Sequence, residues 1–165
     1  MLMAESNIIK VGMADLKHTF HPGVLVTLGL GSCVGIALYD TKTKMIGLAH
    51  IMLPWSEQAK NKANKAKFAD TGIRLLLENM LKDGADKKNI VAKIAGGAQM
   101  FSYSSLSDMI RVGERNVEAT KKVLKELNIP LIAEDTGGTH GRTIEFYSED
   151  GRLMIKTIGF GVTYI

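Results

Sequence analysis

"TLGLGSCVGIALYDTKTKMIGLAHIML", residues 27–53, holds a glycine-rich turn, the chain's single cysteine and two apolar runs on either side of "TKTK". Glycines at 29, 31 and 35 partly imitate the phosphate-binding turn of a dinucleotide fold. Such a turn works only where a helix starts directly after it, so that N–H groups at the helix N-terminus meet the pyrophosphate. Here "VGIALYD" and "MIGLAHIML" are short apolar runs joined by a polar turn, and Val34 stands where the third glycine or alanine belongs. That pattern spells a β-hairpin. The stretch therefore points to antiparallel β structure and away from nucleotide binding.

Working outward, "NIIKVGMADL" alternates apolar and polar residues as a strand does, and "GVLVTL" after Pro22 is a second β-rich run. "KFADTGIRLLLENMLKDG" carries Phe68, Ile73, Leu76, Leu77, Met80 and Leu81 at helical spacing, with Gly84 as its stop. "NIVAKIAGGA" is a strand entering a glycine turn. "VGERNVEATKKVLKELN" is a second helix, with Val117, Thr120, Val123, Leu124 and Leu127 on one face. "PLIAEDTGG", "RTIEFYSEDG" and "RLMIKTIGFG" are strands, with "SEDG" as a hairpin turn. Two helices and about seven strands in this order predict an α+β fold. We expect a single domain over residues 1–165, its β pairing mostly antiparallel and its helices covering the outside.

Composition agrees: the 165 residues are 45% apolar and 23% charged, enough for a sizeable core without disulfide or metal. One cysteine cannot form an internal disulfide, which fits a reducing compartment. The start lacks a signal-peptide pattern and no apolar run is long enough to span a bilayer, so a cytoplasmic location without membrane insertion is expected. Net charge is +4, concentrated in "KNKANKAK" (60–67), where Lys60, Lys62, Lys65 and Lys67 form either a solvated face or a landing patch for an acidic partner. No aromatics alternate with these lysines, so no nucleic-acid partner is expected.

The chemistry-bearing candidates are few. Cys33, with Gly31 two residues before it and Gly35 two after, matches the Gly-x-nucleophile-x-Gly spacing that presents a nucleophile on a sharp turn. The alternative is a small buried hydrophobe. A thiol nucleophile needs a base; His50, alone in an apolar strand, and His140, in "TGGTHGRT", both qualify. His18 and His21 in "HTFH" read as exposed loop histidines, and no zinc-like spacing is present, so neither metal nor cofactor is expected.

Taken in order, "TLGLGSCVGIAL", "GLAHIMLP", "KFADTGI", "AKIAGGAQMF", "VGERNV" and "AEDTGGTHGRTIEF" resemble the bacterial chemoreceptor glutamine deamidases, the CheD family, from about residue 8 to residue 160. The resemblance implies hydrolysis of receptor glutamine side-chain amides to glutamate and ammonia, through a cysteine thioester. It maps the catalytic cysteine onto Cys33, the histidine onto His50 rather than His140, and a threonine that orients the imidazole onto Thr27. It also implies the family fold, a mostly antiparallel, β-sandwich-like α+β core flanked by outer helices, and two partners, chemoreceptor cytoplasmic helices as substrate and the phosphatase CheC. A regulatory module of CheC with secondary enzymatic activity is the alternative within the family. "FSYSSLSDM" (101–109) and the lysine-rich stretch depart from the family pattern without touching the three mapped positions. Roles for Gln99, Arg115, Asn116, Asp135 and Thr136 are not readable from their sequence context.

Overall fold

In chain order, the computed structural model contains β1 (Asn7–Val11), β2 (Asp15–Thr19), β3 (Gly23–Leu30), β4 (Val34–Asp40), β5 (Ile46–Ile51), helix α1 (Ala69–Lys82), β6 (Ile90–Gly96), helix α2 (Val112–Glu126), β7 (Leu131–Thr136), β8 (Arg142–Tyr147), β9 (Leu153–Thr157) and β10 (Gly161–Tyr164). It describes residues 7–100 and 111–165, so the "FSYSSLSDM" segment lies outside the described residues. Two five-stranded sheets result, ordered β1-β3-β8-β9-β10 and β2-β5-β4-β6-β7. Among the described strands, only β1–β3 and β6–β7 pair in parallel.

The sequence explains this layering. β4 and β5 are buried along nearly their whole length, matching the unbroken apolar runs that mark strands covered on both faces. β8 alternates buried and half-buried residues, as a strand with one covered face does. One core cluster, with Ile36, Leu38, Ala49, Ile51, Ile73, Leu76 and Val123, lies between the second sheet and the helices. The other, with Leu25, Leu30, Cys33, Ala37, Ile46, Leu48, Ile144 and Phe146, lies between the sheets. The fold is thus a small α+β domain of sheet, sheet and helix layers, with both helices on one side.

The "TKTK" hairpin turn is held by buried Asp40. Its Oδ1 accepts from the N–H groups of Lys42 and Thr43, at 2.9 and 3.0 Å, and its Oδ2 accepts from Asp86 N–H at 2.9 Å. Burial pushes this carboxyl up, but those donors outweigh it and hold it below the usual carboxylate range.

Two strands exceed the sequence expectation. "DLKHT" has little apolar content and becomes strand β2 because it pairs along the exposed edge of β5. His18 is therefore a strand residue, half-buried and bonded to Asp83 at 2.6 Å, and not a loop histidine. His21 does lie outside the strands, but it is tied to Ser148 Oγ at 2.8 Å. β10 pairs antiparallel on the far edge of the first sheet with all four residues exposed, so no burial pattern marks it.

Candidate active site

Strand register decides the geometry. In the β4–β5 ladder Gly35 pairs with His50 and Val34 with Ile51. Residues facing one another across a ladder, and those two further along, share one face. Cys33 stands just outside the ladder, two residues before Gly35, and it packs in the inter-sheet core, so it lies on the same side as His50. Ala37, Ile46 and Leu48, in phase with them, belong to the inter-sheet core, so that face meets the other sheet. Gly35 leaves room between the two: a Cβ there would stand 2.7 Å from Ile144 Cδ1.

The opposite sheet supplies Thr27, whose neighbours in register are Val11 on β1 and Ile144 on β8. Its hydroxyl oxygen lies 2.7 Å from Val11 O and 2.7 Å from His50 Nδ1, and both side chains are fully buried. Two oxygens approach this closely only with a proton between them, and a carbonyl cannot supply it. Thr27 thus donates to Val11 O, and its oxygen is left to accept from His50. Nδ1 must then carry the imidazole proton, which makes Nε2 the lone-pair nitrogen. Nε2 is buried and has no hydrogen-bond partner among the described residues. The arrangement is a neutral imidazole with its basic nitrogen bare on the face that carries Cys33.

Burial tunes both groups. It pulls the His50 pKa from 6.5 down to about 4. It pushes the Cys33 thiol up, opposed by the residue's own backbone N–H. At neutral pH the site rests as thiol and imidazole, both uncharged.

The turn itself differs from a nucleophile elbow. Cys33 is only 7% exposed, packed in the inter-sheet core and not presented to solvent. Neither Gly31 nor Gly35 takes a positive φ; the bend comes earlier, at a register shift between Thr27 and Leu30 where Gly29 has φ +69°. The chain then enters a strand, where an elbow would enter a helix.

The floor of the turn comes from distant chain. Gly97 N–H donates to Cys33 O and Ala98 N–H to Gly31 O, each at 2.8 Å. Gly96, at φ +111°, is required there, since a Cβ would lie 2.3 Å from Cys33 O. Asn116 on α2 donates through Nδ2 to Ser32 O and Met52 O, each at 2.9 Å. Arg142 binds Asp135 at 3.0 Å and reaches Gly96 O at 3.4 Å. The glycine-rich and "GERN" blocks were visible in the sequence, but their role in supporting Cys33 was not.

His140 is exposed, stacked edge-on against Phe160 with ring centroids 4.5 Å apart. It is His50, not His140, that the fold brings to Thr27. Lys60, Lys62 and Lys65 are exposed and Lys67 is half-buried. Lys67 O accepts from the N–H groups of Met52 and Leu53 at 2.8 and 3.1 Å, which ties the lysine-rich stretch to the segment just after His50. Among the described residues no three His, Cys, Asp or Glu side chains gather as a metal site would require.

The family model described as CheD chemotactic sensory transduction matches residues 52–157, more than half of the chain. A protein of Caldanaerobacter subterraneus subsp. tengcongensis, named probable chemoreceptor glutamine deamidase CheD, is 64% identical over 161 residues, covering 98% of this chain and 99% of the relative. This chain belongs to the CheD family. The chemoreceptor glutamine deamidase CheD of Halalkalibacterium halodurans is 54% identical over 157 residues, covering 94% of this chain and 97% of that one. The family-model match starts two residues after His50, so for Thr27, Cys33 and His50 the similarity to CheD proteins rests on the longer alignments. Among solved structures, a hypothetical protein YfiH of Bacillus licheniformis aligns with TM-score 0.49 and 19% identity, covering 76% of this chain and 51% of that one. Among the described residues no helix is long and apolar enough to cross a membrane.

Proposed function

We propose that this protein hydrolyses the side-chain amide of chemoreceptor glutamines to glutamate, with Cys33 as nucleophile, His50 as proton carrier and Thr27 as the group that orients His50. The observation that carries the reading is the Thr27–His50 hydrogen bond, which leaves a bare Nε2 on the Cys33 face. The names of the CheD relatives support the substrate class.

The thiol proton passes to His50 Nε2 as sulfur attacks the carboxamide carbon, and the carbonyl electron pair moves onto oxygen. Backbone N–H groups of the Cys33 turn stabilise that oxyanion. Collapse breaks the C–N bond, with Nε2 returning its proton to the departing nitrogen as ammonia. Nε2 then takes a proton from water, the hydroxide attacks the thioester, and the C–S bond breaks to release glutamate as Nε2 returns that proton to sulfur, restoring the thiol. Thr27 accepts from Nδ1–H throughout; being neutral, it stabilises the imidazolium less than a carboxylate would. Because burial raises the thiol and lowers the imidazole, a standing ion pair is disfavoured, and proton transfer accompanies attack.

The test is mass spectrometry of purified receptor cytoplasmic fragments incubated with the protein. Conversion of a glutamine adds about one dalton, and Cys33→Ala should remove it entirely. An inactive parent, or a folded Cys33→Ala variant that still converts glutamine, refutes the mechanism. Family membership supports CheC as a second partner in the same compartment, the cytoplasm, and co-sedimentation of the two purified proteins tests that part.

A further inference from the structure

We propose that Asn116 is a positioning residue for this site, a clamp that holds the Cys33 turn against the His50 strand. The inference rests on the deamidase reading of those two residues. The β4–β5 ladder ends at the pair Val34–Ile51, directly before the chain reaches Cys33 on one side and Met52 on the other. Beyond that pair the two segments diverge: Met52 N–H turns to Lys67 O, while Cys33 O accepts from Gly97 N–H. Asn116 spans the gap. It is fully buried on α2, and its Nδ2 donates at 2.9 Å to Ser32 O, next to Cys33, and at 2.9 Å to Met52 O, two residues past His50.

Both partners are carbonyl acceptors, so the atom facing them must be the NH2 group. One side chain thus acts as an extra rung past the end of the ladder. Its own Oδ1 is buried with no partner among the described residues. A buried acceptor left unpaired destabilises a fold, so what favours an amide at this position is the pair of carbonyls its NH2 group holds together. With the rung gone, Cys33 keeps its bond from Gly97 and His50 its bond to Thr27, but the tie between the two segments past the ladder's end is lost, and a misplacement of about 1 Å lowers turnover on the order of 10²-fold.

The test compares the full-length protein with Asn116→Ala, Asn116→Asp and a control, Val123→Ala, which truncates a buried side chain further along the same helix. Asp keeps the shape of Asn but offers oxygen where a donor is needed. On a receptor cytoplasmic fragment both Asn116 variants should lose about 100-fold in kcat with KM within about twofold of the parent. Val123→Ala should lower Tm yet keep kcat within about twofold. Iodoacetamide alkylation of buried Cys33 should quicken several-fold in Asn116→Ala and not in Val123→Ala, which reads the clamp without any deamidation assay. A folded Asn116→Ala with parental kcat and alkylation rate overturns the proposal. So does a Val123→Ala variant that loses kcat in step with its Tm. Should both Asn116 variants fail to fold, NMR of the parent decides: the Asn116 side-chain amide protons must exchange slowly, and exchange at the rate of a surface asparagine overturns the clamp. A parent that cannot deamidate while the alkylation contrast holds defeats the deamidase reading and leaves the clamp standing.

Discussion

Replacing Thr27 by valine removes one oxygen and keeps the branched shape, in a site where both Thr27 and His50 are fully buried. The His50 Nδ1–H then faces no acceptor, and Val11 O loses the hydroxyl proton it accepted at 2.7 Å. A buried donor left unpaired costs about 1–3 kcal/mol. His50 escapes that penalty only by moving its proton to Nε2, which eliminates the lone pair that Cys33 needs. Restoring the reactive tautomer from that form adds the avoided penalty to the barrier, so kcat should fall about 5- to 150-fold. KM should stay within about twofold, since the lost bond lies on the side of the ring away from Nε2. The Val11 carbonyl left without its donor lowers Tm by about 2–12 °C for a chain of this size. Thr27→Ser retains the hydroxyl and should stay within a few-fold of the parent. Ammonia release from a receptor fragment, measured over a substrate series beside thermal melts, gives all of these quantities. A folded Thr27→Val enzyme with parental kcat, or a serine variant as impaired as the valine one, refutes the tautomer argument.

His50→Ala should reduce turnover by about 10² or more, and His140→Ala, at an exposed ring stacked on Phe160, should change it little; the reverse ranking in the same ammonia assay would move the base to His140. The pKa of about 4 for His50 places the acid limb of kcat/KM near pH 4, where an ordinary histidine would put it near 6.5, and a full pH profile checks this. The same shift makes stability pH-dependent. Between about 4 and 6.5 the unfolded chain binds the extra proton and the folded chain does not, so stability falls as pH drops through that window. The loss reaches at most about 3 kcal/mol and should be missing from His50→Gln in denaturant titrations at the two pH values. Changing Lys60, Lys62, Lys65 and Lys67 to glutamine should lower kcat/KM on receptor and flatten its salt dependence while leaving kcat nearly unchanged. An unaltered rate and salt slope would make these lysines a solvated face.

What the chain determines by itself is whatever depends on near neighbours. The hairpin of residues 34–51 is written in two apolar runs around a polar turn, and α1 and α2 in apolar residues at helical spacing, because each pattern matches the geometry of its own element. The hairpin also carries part of the site, since the pairing of β4 with β5 sets His50 opposite Gly35, two residues from Cys33. β2 and β10 were not legible, because edge strands are formed by pairing with a neighbour and bury too little to leave a periodic trace. The rest of the site belongs to the packing of one sheet on the other. Thr27 meets His50 only across that interface, and the direction of its hydroxyl depends on Val11 from a third strand. Glycine spacing around Cys33 suggested a presented thiol, yet burial is a property of what covers a residue, and the inter-sheet core covers this one. Asn116 lies 84 residues from Ser32, on a helix whose sequence pattern describes only which face is buried. No local signal carries that contact, because it exists only after the second helix has docked where the central hairpin ends.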